Sequence, residues 1–324
     1  MNRINPKYIP LAATALVLIG LYVTGCIMFP RFGSLNVFVK LFSENAFLGI
    51  AAVGATFVIL SGGIDLSVGS VIAFTSILVA VLISHGMAPL MVIALALLIG
   101  VTFGAAMGSL IHFFDLPPFL VTLGGMFFMR GMAFVVRPES LGITHPLYTD
   151  TIPQLSILLS PKPHVAIPFT ALCFIGVVLV GTGLSGFTRF GRNVYAIGSN
   201  EISAKLMGVP IGATKIWIYA LAGFFSALGG CVATAYMSSG NPASFVGLEL
   251  DAIAAVVIGG TLLTGGVGYV PGTLLGVLIL GLIQTLITFQ GNLDSAWTRI
   301  AVGVLLLLFI VLQKSITGRG RGRA

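Results

Sequence analysis

Long apolar segments make up most of the chain, and short polar stretches separate them. A helix needs about 20 apolar residues to cross a hydrocarbon core of about 30 Å. The pattern predicts a helix in each of ten segments: residues 9–29, 45–60, 66–84, 88–113, 118–136, 164–184, 213–236, 249–263, 269–290 and 296–313. We therefore expect an all-α polytopic membrane protein, with about ten transmembrane helices in one domain over residues 1–324.

Two glycine-rich stretches interrupt this pattern with little polar loop. The first is ILSGGIDLSVGS at 59–70, which contains Gly62 and Gly63. The second is VIGGTLLTGGVGYVPGT at 257–273, which also contains a pair of glycines near its start. A backbone that breaks its helix at membrane depth must be buried in protein or line a watery cavity. Transporters place such broken helices near their substrate path, often at corresponding positions of two halves. We therefore predict a translocation path at these glycines, and their loose similarity suggests an internal repeat.

The glycine pair of the second stretch is Gly259 and Gly260, and it belongs to the same predicted path. Asp65 lies within the first stretch. An ionisable group between apolar segments is costly and by default functional. Two roles stay open for Asp65: its carboxylate can cap the next helix by accepting from N–H groups near Ser67 and Val68, or it can line the path.

The polar stretch 185–215 concentrates positive charge between two apolar segments. Asn200 is a good N-cap, because its side chain can accept from the free N–H groups of a first helical turn. Gly208 and then Pro210 end the helix. The sequence predicts a two-turn helix here, held between two membrane spans.

The side chains of this short helix form two faces. Glu201 and Lys205 are four residues apart in the favourable order for an ion pair. Ile202 and Leu206, also four apart, form an apolar stripe. A helix of this length is marginal alone, so we expect it to be presented to a groove in a partner.

Glycines at packing spacing occur in two of the predicted spans. Gly100, Gly104 and Gly108 repeat every fourth position, and Gly272 and Gly276 do the same. In lipid such faces let helix backbones approach closely. We expect them to pack helices within one subunit; a dimer interface is the alternative.

Composition agrees with a membrane protein. Of the 324 residues, 57% are hydrophobic and 8% are charged, and the mean hydropathy is +1.10. Soluble domains carry about 25% charged residues, so this class is excluded. The net charge of +7 does not indicate nucleic-acid binding, because Lys and Arg gather at the two ends and in the central stretch. That bias predicts that both termini and residues 185–215 are cytoplasmic.

The sequence lacks the motifs of common catalytic sites. It has no G-x-x-x-x-G-K-[ST] phosphate loop and no H-E-x-x-H, and its four histidines lack metal spacing. We therefore predict no cofactor, no metal and no enzymatic activity in this chain.

Three segments resemble a known family. They are TRFGRNVYAIGSNEISAKLMGVPI at 188–211, GGIDLSVGS at 62–70 and ELDAIAAVVIGGTLLTGGVGYVPGT at 249–273. Together they resemble the ribose/galactoside/arabinose-type ABC transporter permeases, and they follow one another in the expected order. The resemblance implies a permease domain in the bacterial inner membrane that imports a monosaccharide such as galactofuranose.

The resemblance also implies the partners of the chain. A cytoplasmic ABC ATPase would supply the energy, a second permease (a paralogue or a second copy) would complete the path, and a periplasmic sugar-binding protein would deliver the substrate. The segment Asn200–Gly208 would then be the coupling helix that docks in the ATPase. A self-contained secondary transporter driven by an ion gradient is the alternative; it would need its own ion site.

Overall fold

The computed structural model of the protein describes residues 9–161, 164–291 and 296–321. Helices dominate it. In chain order they are α1 (Ile9–Met28), α2 (Leu35–Glu44), α3 (Ala46–Leu60), α4 (Val68–Ser84), α5 (Pro89–Phe113), α6 (Pro118–Val136), α7 (Ile152–Gln154), α8 (Phe169–Phe187), α9 (Arg189–Ser199), α10 (Glu201–Leu206), α11 (Ile211–Met237), α12 (Leu248–Ile258), α13 (Val270–Gln290) and α14 (Ala296–Arg321). Residues 1–8 and 322–324, which carry part of the predicted positive charge bias, lie outside the described residues.

Each of the ten predicted segments contains a helix, but not all of these helices have spanning length. Among the described residues, six helices are long and apolar enough to cross a membrane, or seven if α2 and α3, bent by 54°, form one span. The helix α12 has only 11 residues, which is about 16 Å at 1.5 Å per residue. The structure is therefore that of a helical polytopic membrane protein, while its helix lengths do not establish a count of ten spans.

The helix α3 lies at the centre of the molecule. It has 15 residues, and all of them except Phe47 are buried. Its neighbours include α8, α11, α12 and α13. A helix that is apolar all round belongs in the core, so this position follows from its sequence AFLGIAAVGATFVIL.

The regularly spaced glycines of α5 pack against α11. A Cβ atom added at Gly100 would collide with the backbone of Gly223, and one added at Gly104 would collide with Tyr219. Gly108 meets the next turn of α11 in the same way. Small residues let two helix backbones come this close. The predicted use of these glycines for packing within one subunit is confirmed.

Short strands and one turn of π-helix form the connections. In chain order these elements are β1 (Leu141–Gly142), the π-helical turn (Leu147–Thr151), β2 (Ile157–Pro161), β3 (His164–Ile167) and β4 (Ser239–Gly240). The strand β1 pairs with β4 and β2 with β3, both antiparallel. The β1–β4 pair joins the connection after α6 to the one after α11.

The connections gather at two ends of the helix bundle. At one end, the N–H of Gly266 donates to the carbonyl oxygen of Leu60, and Glu201 pairs with Lys215; we call this the α10 end. At the other, β1 pairs with β4, and the rings of Phe29 and Phe289 lie 5.6 Å apart; we call this the β1 end.

Candidate functional site

The central polar stretch folds into α9 and α10, which meet at Asn200. The Oδ1 atom of Asn200 accepts a hydrogen bond from the N–H of Ser203 at 2.8 Å, so the predicted N-cap is confirmed. The chain leaves α10 at Gly208, whose φ is +81° and whose N–H donates to the carbonyl of Lys205 at 3.0 Å. Glycine takes this left-handed conformation without strain. The predicted helix and its two ends are therefore present.

The two faces of α10 differ in exposure. Ala204 is fully buried against the protein. Ile202 and Leu206 are 75% and 85% exposed, so the predicted apolar stripe faces away from the subunit. Glu201 differs from the prediction: its Oε1 atom pairs with the Nζ atom of Lys215 on α11, at 2.7 Å. The ion pair ties α10 to α11 instead of lying along α10.

The segment before α10 is fixed to both glycine-rich stretches. A Cβ atom at Gly198 would collide with the carbonyl oxygen of Leu60 and would lie 2.6 Å from the nitrogen of Gly266. The N–H of Gly266 itself donates to that carbonyl at 2.9 Å. The hydroxyl of Tyr195 donates to the carbonyl of Gly268 at 2.8 Å. The end of α9 thus contacts the main chain of both broken helices.

The two broken helices end in the same way. The glycine just past each helix has a positive φ, +83° at Gly62 and +95° at Gly260. In each turn, two successive N–H groups donate to carbonyls three and five residues earlier: Gly62 to Ile59, Gly63 to Val58, Gly260 to Val257 and Thr261 to Val256. These bonds satisfy carbonyls that a helix end would leave free. The same turn also ends α4 at Gly86 and α10 at Gly208, so it does not distinguish the two stretches, and the internal repeat stays a prediction.

The predicted path glycines lie in two different settings. Gly62 is exposed and Gly63 is buried, and both line a cavity of about 270 Å³ that also contains Glu201 and Lys215. Gly259 and Gly260 are buried, and a Cβ atom at Gly259 would collide with the backbone of α13. The first pair therefore borders open space beside α10, and the second pair is packed inside the subunit.

Asp65 is only 3% exposed. Its Oδ1 atom accepts hydrogen bonds from the N–H of Ser67 at 2.8 Å and from the hydroxyl of Ser67 at 2.7 Å. Ser67 immediately precedes α4, so the carboxylate stabilises the start of that helix. A role of Asp65 in the path stays a prediction.

A second and larger cavity lies toward the β1 end. Its volume is about 570 Å³, and it is bordered by α2, α3, α11, α12 and α13. The polar residues that line it include Lys40, Glu44, Asn45, Asp251, Gln284 and Thr288. The hydropathy pattern of the sequence does not predict this cavity. Polar residues at helical spacing in α2 and α13 were the available signal.

Non-helical backbone enters the bundle beside this cavity, between α11 and α12. The N–H of Asn241 donates to the hydroxyl of Ser76, in the middle of α4, at 3.4 Å. The guanidinium of Arg130 donates to the carbonyls of Pro242 and Ser244, at 2.8 Å and 2.6 Å. Carbonyls that have left a helix need such donors inside a membrane. Arg130 therefore holds this segment in place.

The described residues contain no group of three or more His, Cys, Asp or Glu side chains that could hold a metal ion. The two cavities and α10 are among the features that a substrate or a partner protein could use.

A family model described as the permease component of branched-chain amino acid transport systems matches residues 37–311. Among curated proteins, the chain is 50% identical to the inner membrane ABC transporter permease protein YjfF of Escherichia coli, over 93% of this chain and 92% of that protein. No solved structure matches.

Two import permeases are also similar along most of their length. The fructose import permease protein FruG of Bifidobacterium longum is 37% identical, over 98% of this chain and 94% of that protein. The ribose import permease protein RbsC of Bacillus subtilis is 36% identical, over 86% of this chain and 85% of that protein.

Proposed function

Since the chain belongs to this family of transport-system permease components, we propose that it forms the membrane path of a bacterial importer for a monosaccharide such as galactofuranose. The chain is a multi-pass inner-membrane permease subunit of an ABC sugar importer. It is not itself an enzyme, because ATP hydrolysis in such systems belongs to a separate subunit. The choice of galactofuranose as the substrate rests on the sequence resemblance.

The observation that carries the mechanism is the exposure of Ile202 and Leu206 on a helix that is otherwise well anchored. An N-cap, a buried Ala204 and the Glu201–Lys215 ion pair hold α10 in place. Two large apolar side chains that face away from the subunit are suited to a groove in a partner protein. We propose that this partner is the cytoplasmic ATPase.

Movement of α10 would reach the glycine turns by a short route. Gly198 lies two residues before Asn200 and is packed against Leu60 and Gly266. When the ATPase closes on ATP, a displacement of α10 would therefore shift the ends of α3 and α12. In this proposal Gly62, Gly63, Asp65, Gly259 and Gly260 belong to the moving part of the path.

The proposal includes a topology and a set of partners. With the ten spans predicted from the sequence, both termini would lie on the same side of the membrane, and the Lys and Arg bias favours the cytoplasm for them and for the α10 end. The β1 end would then face the periplasm. A periplasmic sugar-binding protein delivers the sugar to the β1 end. A second permease, either a paralogue or another copy of this chain, completes the path.

The test is sugar uptake by the purified complex in liposomes. The chain is co-expressed with the candidate ATPase, second permease and binding protein, and uptake of labelled galactofuranose, ribose and fructose is measured. We expect uptake that requires ATP in the liposome lumen, which corresponds to the cytoplasm. Uptake should stop when the ATPase is omitted. Uptake by this chain alone, driven by a proton or sodium gradient, would instead establish the secondary transporter.

A further inference from the structure

The larger cavity is built from the parts of five helices that lie farthest from α10. The helix α3 begins beside it at Ala46 and ends at Leu60, at the α10 end. At about 1.5 Å per residue, Leu48 in the cavity lining is about 18 Å along α3 from Leu60, and Asp251 is about 12 Å along α12 from Gly259. The cavity lining in α13 runs from Gly281 to Phe289, in the half of that helix remote from its glycine turn.

Polar side chains collect on this cavity although the surrounding segments are apolar. Lys40 and Glu44 lie four residues apart on α2, and Gln284 and Thr288 lie four apart on α13. Asp251 faces them from α12. Ionisable groups within membrane segments face a protein interior or a watery cavity, because contact with lipid is costly. These residues therefore mark a surface that suits water or a polar ligand.

The inner part of the cavity offers a fixed hydrogen-bond acceptor. Asn45 is 7% exposed, and its Nδ2 atom donates to the carbonyl of Leu41 at 2.9 Å. Its Oδ1 atom has no hydrogen-bond partner among the described residues and is not enclosed. Gly281 lies against this amide, and a Cβ atom there would collide with it. Glycine at 281 therefore leaves room for Asn45 in this position.

The chemistry of the lining suits a sugar. Each sugar hydroxyl can both donate and accept, and the lining supplies acceptors at Glu44 and Asp251, a donor at Lys40 and both functions at Gln284. Phe47 adds an aromatic surface. Binding sites for small molecules combine an apolar wall with a few polar groups and have volumes of about 300–1,000 Å³.

We propose that this cavity is a monosaccharide-binding site in the permease itself, where the sugar rests after its release by the binding protein. The site deepens the proposed function and rests on it. A second permease can cover its open side, because Lys40, Glu44 and Gln284 are exposed in the single subunit.

The first test compares two glutamines on one helix. Gln284 lines the cavity and Gln290, also exposed on α13, does not. In the complete importer, Gln284→Ala should raise the KM for uptake about two- to tenfold, the value of one lost hydrogen bond. Gln290→Ala should leave the KM unchanged. Co-purification of the ATPase and the second permease is measured for both variants.

The second test detects the sugar in the cavity directly. Thr288→Cys and Gln290→Cys are made in a complex whose permease lacks its native cysteines, and each is labelled with a small polar thiol reagent. Galactose (which supplies a furanose form in solution), ribose and fructose are the probes. A transported sugar should slow the labelling at 288 and not at 290.

The outcomes separate the site from the function. If the wild-type complex shows no ATP-dependent uptake, the proposed function fails, and the site fails with it. If uptake is normal, equal KM values for the two alanine variants and no protection at 288 would overturn the site alone. Partial loss of the second permease from Gln284→Ala, with an unchanged KM for the uptake that remains, would show a subunit interface in its place.

Discussion

The apolar stripe of α10 makes the sharpest prediction. Full burial of an Ile or Leu side chain is worth about 1.5–3 kcal/mol. Ile202 and Leu206 are 75% and 85% exposed in the subunit, so docking has most of that free energy still to gain. After the cost of ordering the interface, we expect the double replacement Ile202→Ser, Leu206→Ser to weaken ATPase binding by about 3 kcal/mol, or roughly a hundredfold.

The assay is co-purification of the ATPase with tagged permease, followed by sugar uptake in cells. The matched control is Lys205→Ala, because Lys205 is exposed on the same helix and an exposed charge contributes about 0–1 kcal/mol. The double variant should insert into the membrane normally, since Asn200 and Gly208 still bound the helix. ATPase retention together with full uptake in that variant would refute the role of α10 in coupling.

Three further predictions concern the packing, Asp65 and the topology. Gly104→Ala should lower the stability of the detergent-solubilised protein by about 1–3 kcal/mol, because its Cβ would collide with α11. Gly124→Ala should not lower it, because a Cβ there has no neighbour within 4 Å. Equal melting temperatures for the two variants would contradict this prediction. Asp65→Asn should keep normal protein levels, because an amide oxygen can accept from the same two donors of Ser67, and Asp65→Leu should reduce the protein level. Slow transport by Asp65→Asn at a normal protein level would favour the path role. The native cysteines of the protein are removed, and Ser140→Cys and Ser203→Cys are each made and treated in spheroplasts with an impermeant thiol reagent. The cysteine at 140 should react and the one at 203 should not. The reverse pattern would show the opposite topology.

The sequence predicted best what depends on neighbouring residues. The ends of α10 follow from Asn200 and Gly208, and the location of each apolar helix follows from local hydropathy. The Glu201–Lys215 pair could not be predicted in this way, because it depends on how α10 lies against α11. The same is true of the larger cavity, whose lining comes from five helices.

The lengths of the helices could not be predicted from the sequence either. Hydropathy does not distinguish a full span from a short buried helix when glycine ends the helix without a polar break. For this reason the segment 249–263 was predicted as a span, although α12 ends at Ile258. The non-helical backbone before α12 was missed as well, because the donor that stabilises it, Arg130, is more than 100 residues away in the chain.

The short helix α12 also constrains how the protein is made. A helix of 11 residues is too short to cross a bilayer alone, and the non-helical segment before it is held by α4 and Arg130. Because the chain is synthesised from its N-terminus, α4 and Arg130 leave the ribosome before α12 does. The C-terminal part can therefore integrate onto a template that already exists. If the chain were split after Met237, we expect the C-terminal fragment to integrate correctly only when the N-terminal fragment is synthesised in the same cell.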